Sequence, residues 1–98
     1  MLNTIVSAIR NHHVLTFTYG GIQRTAEPHA VGVSKFGNDV MRCYQTNEGA
    51  VTEGQEWLLC ELGKITKLTD TGTSFAGARP GYKKGDKDIL RAYIFAEL

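Results

Sequence analysis

Val14-Leu15-Thr16-Phe17-Thr18-Tyr19-Gly20-Gly21 is the stretch that decides the fold class. Leu15, Phe17 and Tyr19 alternate with Thr16 and Thr18, which is the period of a half-buried strand, and β-branched and aromatic side chains suit a pleated surface. Gly20-Gly21 accepts positive φ at both central positions of a two-residue turn, the backbone that matches the twist of a hairpin. The segment from Ile22 onward therefore reads as a return strand.

Upstream of this hairpin, Leu2, Ile5, Val6 and Ile9 follow the i, i+3, i+4, i+7 spacing of one helical face, with Asn3, Ser7 and Arg10 on the other side. Arg10 and His12 lie near the negative end of the helix macrodipole. A helix this short is marginal alone and must pack on something.

Downstream, the long return segment Ile22–Lys35 contains Pro28, which donates no ladder hydrogen bond, so the strand is expected to be bent, edge-exposed or broken near Pro28 and Gly32. A turn at Phe36-Gly37-Asn38-Asp39 leads into Val40–Gln45, where Met41 and Cys43 alternate with Val40, Arg42 and Tyr44. After a polar loop over Asn47–Gly54, Leu58, Cys60 and Leu62 alternate with Trp57, Leu59 and Glu61. Gly63 interrupts before a strand resumes at Lys64–Leu68. Short strands at this spacing predict a mainly β fold, a small barrel that removes the open edges. Residues from Thr69 to Lys87, rich in Gly, Thr, Asp and Lys, read as a surface loop. The last segment reads as a short helix capped by Asp86 and carrying Ile89, Leu90, Tyr93 and Ile94. A strand is the alternative, because Tyr93-Ile94-Phe95 also suits β structure.

At 98 residues the chain is one domain, and 42% apolar with 21% charged residues is ordinary for a globular protein. A net charge of +1 supplies no global field for nucleic acid or an anionic membrane, so such binding needs a local patch. No apolar run approaches a membrane span, and the opening residues lack the pattern of a secretory leader. Cys43 and Cys60 have no metal-like spacing and read as reduced, buried thiols, which with the absence of a leader points to the cytoplasm.

The order of these pieces resembles the WYL domain. The matching features are Ile5–Gly21 as helix, strand and glycine turn, then Arg24 and Glu27-Pro28-His29. Gly37, Val40–Gln45 and the Trp57-led strand ending in Lys64-Ile65 follow. The likeness covers a core of residues 2–68, with Arg79, Tyr82 and the remainder of 69–98 resembling the family's tail, so 1–98 reads as a single, stand-alone WYL-like domain. Asp39-Val40-Met41 stands where the naming tripeptide would fall, and Glu61 stands where many members carry a basic residue. The resemblance implies a strongly bent Sm-like or SH3-like barrel with an N-terminal helix, a bacterial or phage source and a ligand-sensing regulatory role. Some members bind single-stranded nucleic acid. The ligand-binding positions it implies are Tyr19, Arg24, His29, Arg42, Tyr44, Trp57 and Lys64.

The chemistry of those residues fits anion recognition. A guanidinium offers a planar fork of donors to phosphate oxygens, and a Lys acts as a point charge. Aromatic rings stack on bases for about 1–3 kcal/mol each. His29, with Ser34 as a second polar group, could donate to a ligand oxygen. The competing reading pairs Arg24 and Arg42 with Glu27, Glu56 or Glu61 as solvated strand faces, which is the stronger reading for Lys64, and places Tyr19 or Trp57 in the core. His12-His13 lacks a third ligand for a metal. Lys83, Lys84 and Lys87 are diluted by Asp86 and Asp88 and read as a solvated loop. No phosphate loop, nucleophile elbow or acid/base carboxylate pair appears, so neither enzyme activity nor a cofactor is expected. The expected function is a sensor that binds a nucleic acid fragment or nucleotide-like anion on the basic and aromatic face. The alternative is a protein-interaction or dimerisation module, motivated by Glu61 and by the apolar segment 89–98.

Overall fold

The computed structural model describes residues 1–46, 51, 54–82 and 85–95. Helix α1 (Leu2–Asn11) is followed by strands β1 (His13–Tyr19), β2 (Ile22–Val33), β3 (Asp39–Gln45) and β4 (Trp57–Glu61). A 3-10 turn (Leu62–Lys64), β5 (Thr66–Ser74) and β6 (Arg91–Phe95) follow among the described residues. The protein is mainly β, as its alternation predicts. Its strands form one antiparallel sheet in the order β4-β3-β2-β1-β5, with β6 also on β2. No helix among the described residues is long and apolar enough to cross a membrane.

The Gly20-Gly21 turn has φ of 61° and 75° and sets the β1–β2 register, Tyr19 opposite Ile22 and Leu15 opposite Ala26. β2 then changes neighbours. It pairs β1 up to Ala26 and β6 from Ala30, while β3 runs along its other edge from Ala26 to Val33. Pro28 falls in the gap between β1 and β6, and the β2–β3 register shifts between Pro28 and Ala30, so the missing N–H is accommodated where the ladders are irregular. The irregularity expected near Pro28 and Gly32 is there, yet the strand is continuous.

Ile5, Ala8 and Ile9 of α1 are fully buried and pack with Leu15, Phe17, Ala26, Val31, Met41, Cys43, Cys60, Leu62 and Ile65. A second, smaller cluster joins Ala30, Val40 and Ile89 with Leu59 and Ala92. The two clusters together cover β2, whose residues Ala26 to Gly32 are all buried; a strand covered on both faces loses its alternation. Cys43 and Cys60 are free and buried, and their mutual hydrogen bond and burial push the Cys43 thiol well up from its ordinary range.

Three expectations are corrected. The loop expected from Thr69 begins only after Ser74, because β5 continues along β1 through Leu15 opposite Asp70 and His13 opposite Ser74. β5 is an exposed edge strand with no apolar stripe to read, held by polar contacts: His13 Nδ1 lies 3.0 Å from Asp70 Oδ1, and Thr71 Oγ1 donates to the Val14 carbonyl. The strand expected at Lys64 starts at Thr66, after the 3-10 turn. The last segment is strand β6 and not a helix: Ile89 is buried while Leu90 is 73% exposed, so no continuous helical stripe meets the core. The polar loop read at 47–54 and the end of the final segment lie largely outside the described residues.

Candidate functional site

His29 is the centre of an aromatic box built by four parts of the chain. It is fully buried, with Trp57 and Tyr82 edge-on at 4.9 Å and Phe75 stacked at 5.6 Å between ring centroids. Tyr44 meets Trp57 edge-on at 5.2 Å and extends the box along β3. Tyr44 and Trp57 are register partners on β3 and β4 and share a face, which explains that contact. Phe75 and Tyr82 come from the segment after β5, which returns across the sheet: the Phe75 N–H donates to the His12 carbonyl, and Trp57 Nε1 donates to the Pro80 carbonyl.

The ring nitrogens of His29 and Trp57 are committed to the chain itself. His29 Nδ1 lies 2.8 Å from the Glu27 carbonyl and must carry the proton there, so Nε2 accepts the Arg79 N–H at 3.3 Å. His29, read from the sequence as a donor to a ligand oxygen, thus has both ring nitrogens committed to the chain, and Ser34 Oγ accepts from the Phe36 N–H in the β2–β3 turn. Glu27 is 4% exposed and receives the Arg79 guanidinium through both oxygens, at 2.7 and 2.8 Å. That bidentate pair raises the Arg79 pKa, and the guanidinium also lies 4.9 Å over the Tyr44 ring.

Burial depresses the pKa of His29, outweighing the Glu27 carbonyl and carboxylate, while Arg79 and His12 add further repulsion to the charged form. A histidine held neutral when folded binds fewer protons than the unfolded chain once pH falls below about 6.5, so stability is full above that pH and is lost as pH falls toward the depressed value. The thermal midpoint is expected to drop between pH 7.5 and 5.5, followed by Trp57 fluorescence, and His29→Gln should flatten that slope. An unchanged slope in the variant would assign the effect to other groups.

Arg42 stands beside the box. Its Nε donates to Asp86 Oδ2 at 2.7 Å, and Nη2 reaches Asp88 Oδ2 at 2.8 Å and Asp86 Oδ1 at 3.4 Å. Burial opposes the charge on both Arg42 and Asp86, but their pairing prevails: the Arg42 pKa is raised and that of Asp86 lowered. Asp86, expected as a helix cap and, with Asp88, as part of a solvated loop, is instead a counter-ion of Arg42, as is Asp88. Asp86 Oδ1 also accepts the Asp88 N–H, which fixes the turn presenting the two carboxylates. Arg42, Trp57, Tyr82, Asp86, Lys87 and Asp88 line a cleft of about 440 Å³.

The remaining candidates form separate groups. Arg24 donates to the Tyr19 carbonyl at 3.1 Å and to Gln45 Oε1 at 2.6 Å, and lies over the Tyr19 ring. Tyr19 Oη accepts the Glu61 N–H, so this tyrosine bridges β1 to β4. A second cleft of about 500 Å³ runs from Arg24 and Gln45 to Trp57, which makes Trp57 the side chain shared between the Arg24 and Arg42 sides. Lys64 is 69% exposed and 3.2 Å from Glu61, the pairing its sequence context suggests, and with Tyr19 and Ser34 it lines a further cleft of about 480 Å³ that shares Lys87 and Asp88 with the Arg42 cleft. The structure therefore gathers His29, Tyr44 and Trp57, sets Arg42 beside them, links Arg24 through Trp57 and places Lys64 with Tyr19 in an adjoining cleft.

No family model, curated protein or solved structure matches the chain. What the site does must be read from its geometry. Sequence reasoning missed Glu27–Arg79 and Arg42 with Asp86 and Asp88 as partners; the only available signal was Arg79 and Tyr82 as tail positions, since contacts 44 to 52 residues apart carry no local pattern.

Proposed function

We propose that this domain is a ligand-sensing binding module whose ligand carries a phosphate and an aromatic base, a nucleotide or the end of a single-stranded nucleic acid. The observation that carries the reading is the cleft of about 440 Å³ in which a guanidinium, Arg42, stands beside the Trp57 and Tyr82 rings, themselves stacked at 6.3 Å and 24°. A side-on guanidinium matches phosphate oxygens, and aromatic faces accept any base. The residue order that resembles the WYL domain supports the same role.

The test is fluorescence anisotropy of labelled short single-stranded DNA and RNA across a salt series, with mononucleotides as competitors. Binding is expected to weaken by roughly 0.7 log units per log unit of salt for each phosphate contact, and Arg42→Gln should remove about one contact from that slope. Flat traces at low salt would refute the reading.

A second reading has its own observation. Phe36 is 78% exposed in the β2–β3 turn, and Leu90, whose N–H donates to the Val33 carbonyl beside that turn, is 73% exposed. Apolar groups set together at one corner suit a protein partner or a second copy. Light scattering of the full chain and of Phe36→Ser/Leu90→Ser distinguishes this: a dimer that the variant dissolves supports the interaction module, and a monomer in both removes the homodimer.

A further inference from the structure

The Arg42 guanidinium at the cleft is already paired with the chain's own acids. Asp86 and Asp88, two residues apart, place one carboxylate each on the Nε and Nη2 edge of Arg42, through two contacts of 2.7 and 2.8 Å. Side-on binding to one edge of a guanidinium is the geometry that a phosphate takes. The two carboxylates together bring −2, close to the −1.5 to −2 of a phosphate monoester near neutral pH. The shielding is uneven in a useful way. The Arg42 and Asp86 side chains are only 19% and 14% exposed, so their pair is sheltered, whereas Asp88 is 48% exposed and open to exchange with solvent.

The chain on either side of this pair has anchors of its own. On one side the chain is held by Trp57 to the Pro80 carbonyl and by Arg79 to Glu27; on the other, Ile89 sits in the second apolar cluster and the Leu90 N–H bonds the Val33 carbonyl. Neither anchor uses the Asp86 or Asp88 carboxylate. The two acids therefore shape the turn at 86–88 and its link to β3, while β6 and the aromatic box keep further anchors of their own.

We infer that Asp86 and Asp88 are an internal competitor of the ligand: they occupy the Arg42 guanidinium in the free protein, and a phosphate-bearing ligand enters by taking their place. This rests on the proposed binding function and adds its regulation. The exchange replaces one set of charge-assisted hydrogen bonds on Arg42 by another, so the domain binds only ligands that match both the dianion and the adjoining rings. It also means that the wild-type chain holds its ligand more weakly than the bare cleft would.

The experiment compares anisotropy of a 5′-phosphorylated, labelled single-stranded oligonucleotide on wild type, Asp88→Asn, Asp86→Asn/Asp88→Asn, Arg42→Gln and the triple variant, with a mononucleotide as competitor. Asparagine preserves volume and the acceptor for the Asp88 N–H, and thermal melting checks the fold of each variant. The double variant is expected to bind on the order of tenfold more tightly than wild type, within the range usual for coupled contacts, and Asp88→Asn to gain less. In the Arg42→Gln background the same two substitutions should gain distinctly less, because only relief of like-charge repulsion is left. An equally large gain there reflects the general field of the removed charges and overturns the competitor, as does equal affinity of wild type and double variant, which leaves the binding function standing. Absence of binding in every variant overturns both. If the double variant fails to fold, Asp88→Asn decides alone, because its carboxylate is the half-exposed partner. Competition by the mononucleotide assigns the ligand to free nucleotides, and its failure assigns it to nucleic acid ends.

Discussion

Arg79→Ala is expected to destabilise the domain by about 1–3 kcal/mol, the usual cost of leaving a buried charged group without its partner. Glu27 is 4% exposed, and its two oxygens are met by Arg79 Nε and Nη2; with the guanidinium gone, the carboxylate is left with neither that partner nor full hydration. The 42% exposure of the Arg79 side chain places the effect below that of a fully interior pair, since water screens its outer edge. Loss of packing over Tyr44 adds to it. Urea denaturation measures the change. In a Glu27→Gln background the same substitution should cost less, because a neutral amide tolerates the missing cation; that non-additivity isolates the pair from a general effect of shortening Arg79. Equal stability of Arg79→Ala and wild type would show that the buried carboxylate finds another partner.

Gly32→Ala is the second large effect. A Cβ at Gly32 would lie 2.4 Å from the Arg91 carbonyl oxygen, 2.6 Å from Ile89 Cγ2 and 2.7 Å from the Ala92 Cα. Two of those three atoms are backbone, so no side-chain rotation relieves the overlap. β6 must shift away from β2, and Ile89 is pulled from the cluster it shares with Ala30 and Val40. Forcing a methyl into a packed site costs typically about 1–3 kcal/mol. Hydrogen exchange should place the loss in the amides of residues 89–93, with α1 and β1 less affected. Gly63→Ala is the matched control: nothing lies within 4 Å of its Cβ, and its effect should stay within about 0.5 kcal/mol. An equal loss in both variants would reject close strand approach as the reason for glycine at position 32.

Both effects concern the segment after β5, where sequence reading and structure diverge most. The helix face of Ile5 and Ile9, the alternation of Leu15 and Phe17 and the glycine hairpin were legible because each depends on residues within one turn or one strand. β5 was legible only as far as Leu68, since its outer half is an edge strand with polar residues on both faces. β6 was ambiguous because Ile89, Leu90, Tyr93 and Ile94 fit a helical stripe as well as a strand, and the choice is made by Gly32 on another strand. The basic and aromatic residues were recognisable as a group, but their partners were not. Glu27 looked like one counter-ion among several, and Asp86 like a cap.

By itself, then, the sequence determined a mainly β domain with an N-terminal helix, because hydrophobic periodicity and turn chemistry act over a few residues. Only the tertiary structure decided that Phe75, Arg79 and Tyr82 complete the box around His29, and that Asp86 and Asp88 neutralise Arg42. Those pairings join residues 44 to 53 positions apart. Their cause is desolvation: Glu27 and His29 on β2, covered on both faces, and the largely buried Arg42 on β3 must find partners, and the returning chain is what the fold brings within reach.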